Sequence, residues 1–204
     1  MDNIKQDRSP PGQAPIPLVG CGILKKEIEF LIQKHNWPFK THFLCSSLHI
    51  DFEKLEKTLV KALSHYGDVP KAVIYGTCHP SMDAFMKEGN ATRTQGQNCV
   101  ELLLGKELFE HHLSAGAFFI MEDWAKRWNL ITGLTFGNSP EITREILTME
   151  HTYFLGIETP CSGDFRTDAL DISKEIGLPL KWVTAPLDPL EKTLTETLGR
   201  LERK

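Results

Sequence analysis

Short, unbroken apolar runs alternate with stretches of helical period along nearly the whole chain, and this alternation constrains the fold more than any other feature. IPLVGCG, FKTHFLC, KAVIYG, AFFIM, YFLGIET and LKWVT are too short for helices and are rich in β-branched and aromatic residues, so each reads as a strand. Between them, KKEIEFLIQKHN, DFEKLEKTLVKALSHYG, NCVELLLGKELFEHHLSAG, SPEITREILTMEH and DFRTDALDISKEIG carry apolar residues at three- and four-residue spacing. Asp51 is placed to cap the second of these helices and Gly177 to close the last. A helix over 98–116 and a short helix plus loop over 81–98 complete the middle of the chain. Continuous rather than alternating apolar strands belong to a parallel sheet covered on both faces. The sequence therefore predicts an α/β fold, doubly wound, with a mostly parallel sheet of five to six strands and helices on both faces. The polar, proline-containing residues 1–14 are expected to form a flexible tail, and 15–204 a single domain.

Charge and hydropathy exclude several function classes. A net charge of -4 lacks the basic face that nucleic-acid binding requires. No apolar run reaches the roughly 18 residues that span a bilayer, and the segment before the first prolines has no signal-peptide core. A cytoplasmic location is expected. The usual phosphate-loop, dinucleotide, serine-hydrolase and zinc-protease motifs are absent from the sequence.

Five cysteines are the distinctive chemical feature. Their odd number and wide spacing do not suit a disulfide framework, so they are free thiols, metal ligands or reactive groups. In a parallel sheet, the residues that follow each strand gather at one edge, where ligands bind. Cys21, Cys45, Cys78 and Cys161 end or follow predicted strands, and Cys99 opens a predicted helix. A buried structural cysteine belongs inside an element. Cys21 and Cys78 instead lie in glycine-flanked turns, and Cys99 at a helix start, where the helix field would lower a thiol pKa. His79 and Cys45 are candidate further ligands. Glu122 and Glu158, which follow the fourth and fifth strands, are candidate acid–base groups. Trp124 and Trp128, one helical turn apart, are either core or a platform for a flat ligand. His111 and His112 read as solvated surface.

VGCGILKKEIEFL, WPF, AVIYGTC, NCVELLLG, EDWAKRWN and YFLGIET, with EIGLPLKWV beyond, together resemble the domain-of-unknown-function family 1638 from about Pro15 to the C-terminus. The resemblance implies that Cys21, Cys78 and Cys99, which match cysteines of the family pattern, act together. The chain departs from that pattern at His79, where glycine is usual, and at Met121-Glu122-Asp123, where a Thr-Pro-Gly turn is usual. It also implies an association with corrinoid-dependent methyltransferase systems of anaerobes.

Three functions are open to such a chain. In a metal-thiolate protein, Cys21, Cys78 and Cys99 hold an iron–sulfur cluster or zinc, with His79, Cys45 or an external ligand in the fourth position and a corrinoid protein or methyltransferase as partner. A metal-free thiol enzyme would use Cys99 as nucleophile, Cys21 or Cys78 as resolving thiol, and Glu122 or Glu158 as acid–base group. A binding module could use the C-terminal helix, with Leu190, Leu194, Leu198 and Leu201 on one face, to dock a corrinoid protein or form a homodimer, although that face is expected to pack on the chain's own sheet.

Overall fold

Seven strands and ten α-helices alternate along the chain in a computed structural model that describes residues 14–203. The tail expected over 1–14 lies outside the described residues, apart from its last one. β1 (Ile16–Cys21), β2 (Phe39–Leu44), β3 (Lys71–Ile74) and β4 (Ala91–Arg93) form a parallel sheet in the order β2-β1-β3-β4. β5 (Ala117–Ile120), β6 (Tyr153–Glu158) and β7 (Leu180–Thr184) form a second parallel sheet in that order. The α/β, doubly wound class is the one expected, but the strands number seven and divide between two sheets. β4 was not anticipated, because three residues carry too little pattern to declare a strand.

Neighbouring residues of the first sheet serve opposite faces. Leu18, Ala72 and Ile74 join one buried cluster with Ile28 and Leu31 of α1 (Lys25–His35) and Leu103 of α4 (Cys99–Leu104). Val19 and Val73 join another, with Leu55 and Leu59 of α2 (Phe52–Ser64) and Met82 and Phe85 of α3 (Met82–Glu88). Such burial on both sides explains why the strands read as continuous apolar runs. Asp51 caps α2 as expected, accepting from Lys54 N at 3.0 Å. The second sheet is covered by α8 (Pro140–Glu150) and α9 (Arg166–Ile176), which contribute Leu147, Ala169, Ile172 and Ile176 to a cluster around Phe154. Ile157 and Ala185 from this half lie in the same cluster as Leu18 and Ile74, so a common core joins the two sheets.

One expectation about helices changes and another holds. The helix expected over 98–116 is broken in two, α4 and α5 (Lys106–Ser114), because Gly105 adopts φ 78°, a left-handed conformation that interrupts the backbone ladder. The C-terminal helix α10 (Asp188–Leu201) packs on α4, β3 and β4 of its own chain and buries Leu190, Leu194 and Leu201 there. Its apolar face is therefore engaged within the chain, the arrangement expected for it. Among the described residues, no helix is long and apolar enough to cross a membrane.

Candidate functional site

Strand order reverses between β1 and β3: the chain leaves β1 for β2 on one side and returns to β3 on the other. Such a reversal opens a crevice beyond the carboxyl ends of the two strands. Cys21 ends β1, and Cys78 follows β3 by way of Tyr75, Gly76 and Thr77. Cys99 opens α4, directly after Asn98, whose side chain caps that helix by accepting from Glu101 N at 3.0 Å. The loops bearing Cys78 and Cys99 are joined backbone to backbone, with Thr77 N donating to Gln97 O at 2.7 Å. Only glycine allows this approach, since a Cβ on residue 76 would collide with the Gln97 carbonyl.

Cys21, Cys78 and Cys99 all line one cavity of about 460 Å³. Its walls come from both sheets and include Ile74, Leu102, Phe118, Phe119 and Trp124, with Ser46, His49 and Asn98 as polar members. Trp124 stacks on His49 with ring centres 5.2 Å apart. Tyr75 is only 3% exposed, and its hydroxyl lacks a hydrogen-bond partner among the described residues. Trp124 Nε1 is likewise buried and unpartnered.

Burial pushes the Cys21 thiol up to about 12, with the neighbouring Cys78, Asp123 and Cys45 adding to the effect. Burial also raises Cys78, and it raises Cys99 well above an ordinary thiol, with Cys21 and Cys78 adding to it. The cavity thiols are therefore neutral at physiological pH. This reverses the expectation for Cys99, where loss of water outweighs any benefit from the start of a six-residue helix. Donor chemistry suits a soft metal, but the side chains do not converge as they stand: among the described residues, no three His, Cys, Asp or Glu groups are gathered closely enough to hold an ion.

The remaining candidates lie elsewhere. His79 is not among the cavity-lining residues: its Nδ1 accepts from Ser81 N at 3.0 Å, and its Nε2 lies 3.7 Å from Glu56 Oε2. Cys45 is exposed outside the cavity wall, with its sulfur 3.2 Å from Ser47 Oγ and 3.6 Å from Arg127 Nη2. The Ser47 hydroxyl lowers its pKa despite some burial, and Arg127 contributes to the same end. Cys161 bonds through its backbone N to Thr159 Oγ1 and is raised by burial. All five thiols are free.

Glu122 does not serve the cavity either. Burial alone would raise its pKa, but hydrogen bonds from Lys126 Nζ at 2.7 Å, Lys26 Nζ at 2.7 Å and Gly163 N at 2.8 Å outweigh it and hold the carboxyl at about 2. A carboxyl held that low is a poor general acid or base near neutrality. Glu158 is bound to Arg166, which donates from Nε at 2.8 Å and also from Nη2. Trp128 is buried in the core around Phe154, while its turn-mate Trp124 faces the cavity. His112 is not simply solvated, since its Nδ1 lies 2.9 Å from Tyr153 Oη.

Sequence reasoning missed Tyr75, the residue next to a predicted strand end, and the group formed by Ser46, Asp123 and Arg127. Ser46 Oγ donates to Asp123, and Arg127 Nη1 donates to Ser46 Oγ at 3.0 Å and to Asp123 Oδ2 at 3.3 Å. The four-residue spacing of Asp123 and Arg127 was a usable signal, whereas the tie to Ser46 is visible only in three dimensions.

Neither a curated protein nor a solved structure matches the chain. A family model described as "Protein of unknown function (DUF1638)" matches residues 43–194. The matched segment contains Cys45, Cys78, Cys99 and Cys161 but begins after Cys21 and after the VGCGILKKEIEFL and WPF motifs, so the similarity is shorter at both ends than the sequence resemblance implied. A match over this much of its length places the chain in the DUF1638 family.

Proposed function

We propose that the chain is a metal-thiolate protein in which Cys21, Cys78 and Cys99 take up a soft metal, as an iron–sulfur cluster or a zinc ion, in the cavity between the two sheets. One observation carries this reading: three cysteines from three separate segments line a single cavity at the point where strand order reverses. Their neutral state without metal is consistent with it, because thiolate ligands must shed protons as the metal binds. A cation would offset the mutual repulsion of three buried thiolates. When bound, the metal would supply a Lewis-acidic or electron-carrying centre with an open position. The chain itself supplies the dry wall around that position.

We place this centre in the cytoplasm, where free thiols persist, and in corrinoid-linked methyl or electron transfer, the setting implied by the family resemblance. Anaerobic purification with elemental analysis and an absorption spectrum tests the reading. Near-stoichiometric iron or zinc is expected, lost in Cys21→Ala, Cys78→Ala or Cys99→Ala and kept in Cys45→Ala and Cys161→Ala. Folded protein without metal, or metal that survives all three cavity substitutions, removes it. Co-purification of a corrinoid protein tests the partner separately.

A specific observation also favours metal-free thiol chemistry, but at Cys45 rather than Cys99. Cys45 is the exposed thiol, and the Ser47 hydroxyl and the Arg127 guanidinium stabilise its thiolate.

A further inference from the structure

α7 (Trp128–Phe136) carries no charged residue, yet one of its faces lies open to solvent. Trp128 and Thr132 are buried, while Leu130 and Leu134, one turn apart, stand 52% and 57% exposed. The helix forms a ridge between two grooves. One, of about 490 Å³, is lined by Leu48, Phe52 and Lys54 together with Leu134. The other, of about 450 Å³, is lined by Lys126, Asp168, Asp171 and Glu175 together with Leu130. Single exposed leucines are ordinary, but an uncharged ridge between charged flanks is the pattern of a contact surface.

The flanks carry opposite signs. α2 borders the first groove and exposes Lys54 and Lys61, and α9 borders the second and exposes Asp168 and Glu175. Each pair is seven residues apart, which is two helical turns, so its charges share a face about 10.5 Å apart. None of the four takes part in an ion pair among the described residues. Neighbouring charges are matched within the chain: Lys57 with Glu53 and Lys174 with Asp171 at 3.3 Å each, Lys126 with Glu122 at 2.7 Å, and Arg127 with Asp123 at 3.3 Å. We propose that a second copy of the chain docks on this face, giving a two-fold dimer with Leu130 and Leu134 at its centre. With the symmetry axis along α7, each copy's α2 lies opposite the other's α9, and the lysine pair meets the carboxylate pair twice. An acidic partner would leave the α9 carboxylates unmatched and a basic one the α2 lysines, whereas a second copy matches both. Neither ridge nor flank includes a cavity thiol, so the dimer is independent of metal uptake.

Sedimentation equilibrium of the reduced full chain over a concentration series tests it. Twice the monomer mass of 23.1 kDa is expected at high concentration, relaxing to the monomer on dilution. Leu130→Arg combined with Leu134→Arg should raise the dissociation constant roughly tenfold or more. Both side chains are exposed, so the urea midpoint should not move. A charge exchange gives a second arm. Asp168→Lys with Glu175→Lys makes both flanks basic, Lys54→Glu with Lys61→Glu makes both acidic, and each double variant should weaken its own dimer. Mixed together, the two should recover dimer, because every flank contact in the mixed species again joins opposite charges. A chain that stays monomeric at every concentration overturns the proposal, as does a dimer untouched by the leucine variants. So does a mixture that associates no better than its components, or a mass that grows past twice the monomer.

Discussion

Five chemically identical thiols acquire different characters from their surroundings. Cys21, Cys78 and Cys99 lose water and gain like-charged neighbours, which favours the protonated form, whereas Cys45 keeps solvent and gains Ser47 and Arg127. Iodoacetamide at neutral pH should therefore alkylate Cys45 first, with the cavity thiols slower by a factor of ten or more (about one pKa unit per factor of ten in thiolate). The labelling rate of Cys45 should rise with pH through a midpoint below 9. Arg127→Ala should move that midpoint upward, because the substitution removes a group that stabilises the anion. Peptide mass spectrometry across a pH series reads both effects, and equal labelling of Cys45 and Cys99 would contradict them. That Cys21, Cys78 and Cys99 would meet at one edge was legible from the edge rule, whereas Cys45 and Cys161, expected on the same rim, do not line the cavity. Thiol protonation was not legible, because it depends on partners such as Arg127, which lies 82 residues from Cys45 in sequence.

Element boundaries were legible wherever period and end signals agreed, as at α2 with Asp51 or α9 with Gly177 in its left-handed conformation at φ 85°. The break at Gly105 was hidden because apolar spacing continues across it, and periodicity identifies a strand without naming its neighbours, so the division into two sheets was hidden too. The contact between the Cys78 and Cys99 loops is of this second kind. It depends on Gly76, a residue with no side chain, and gives an expectation at the same scale. Gly76→Ala should lower stability by roughly 1–3 kcal/mol in urea unfolding, since the collision is with backbone and cannot be relieved by a rotamer change. The same variant should speed alkylation of Cys78 and Cys99 although no sulfur has been touched. An unchanged urea midpoint would show that the loops part without cost.

The family match begins within β2 and so omits β1, yet β1 is an interior strand, paired on one side through Cys21↔Leu44 and on the other through Val19↔Val73. A fragment restricted to residues 43–194 should therefore lose the strand that holds β2 and β3 together, together with the first thiol. Circular dichroism during urea titration should show no cooperative transition for that fragment and a sharp one for a chain starting at Ala14. A cooperative fragment would mean that the second sheet and its helices fold alone. The order β2-β1-β3-β4 has one more consequence, for synthesis. β1 leaves the ribosome before both of its partners but occupies a middle position, so one of its hydrogen-bonding edges stays bare until Ala72–Ile74 emerge. During translation, the stretch around Leu18 and Val19 is thus the sticky part of the nascent polypeptide and the natural place for a chaperone to hold it.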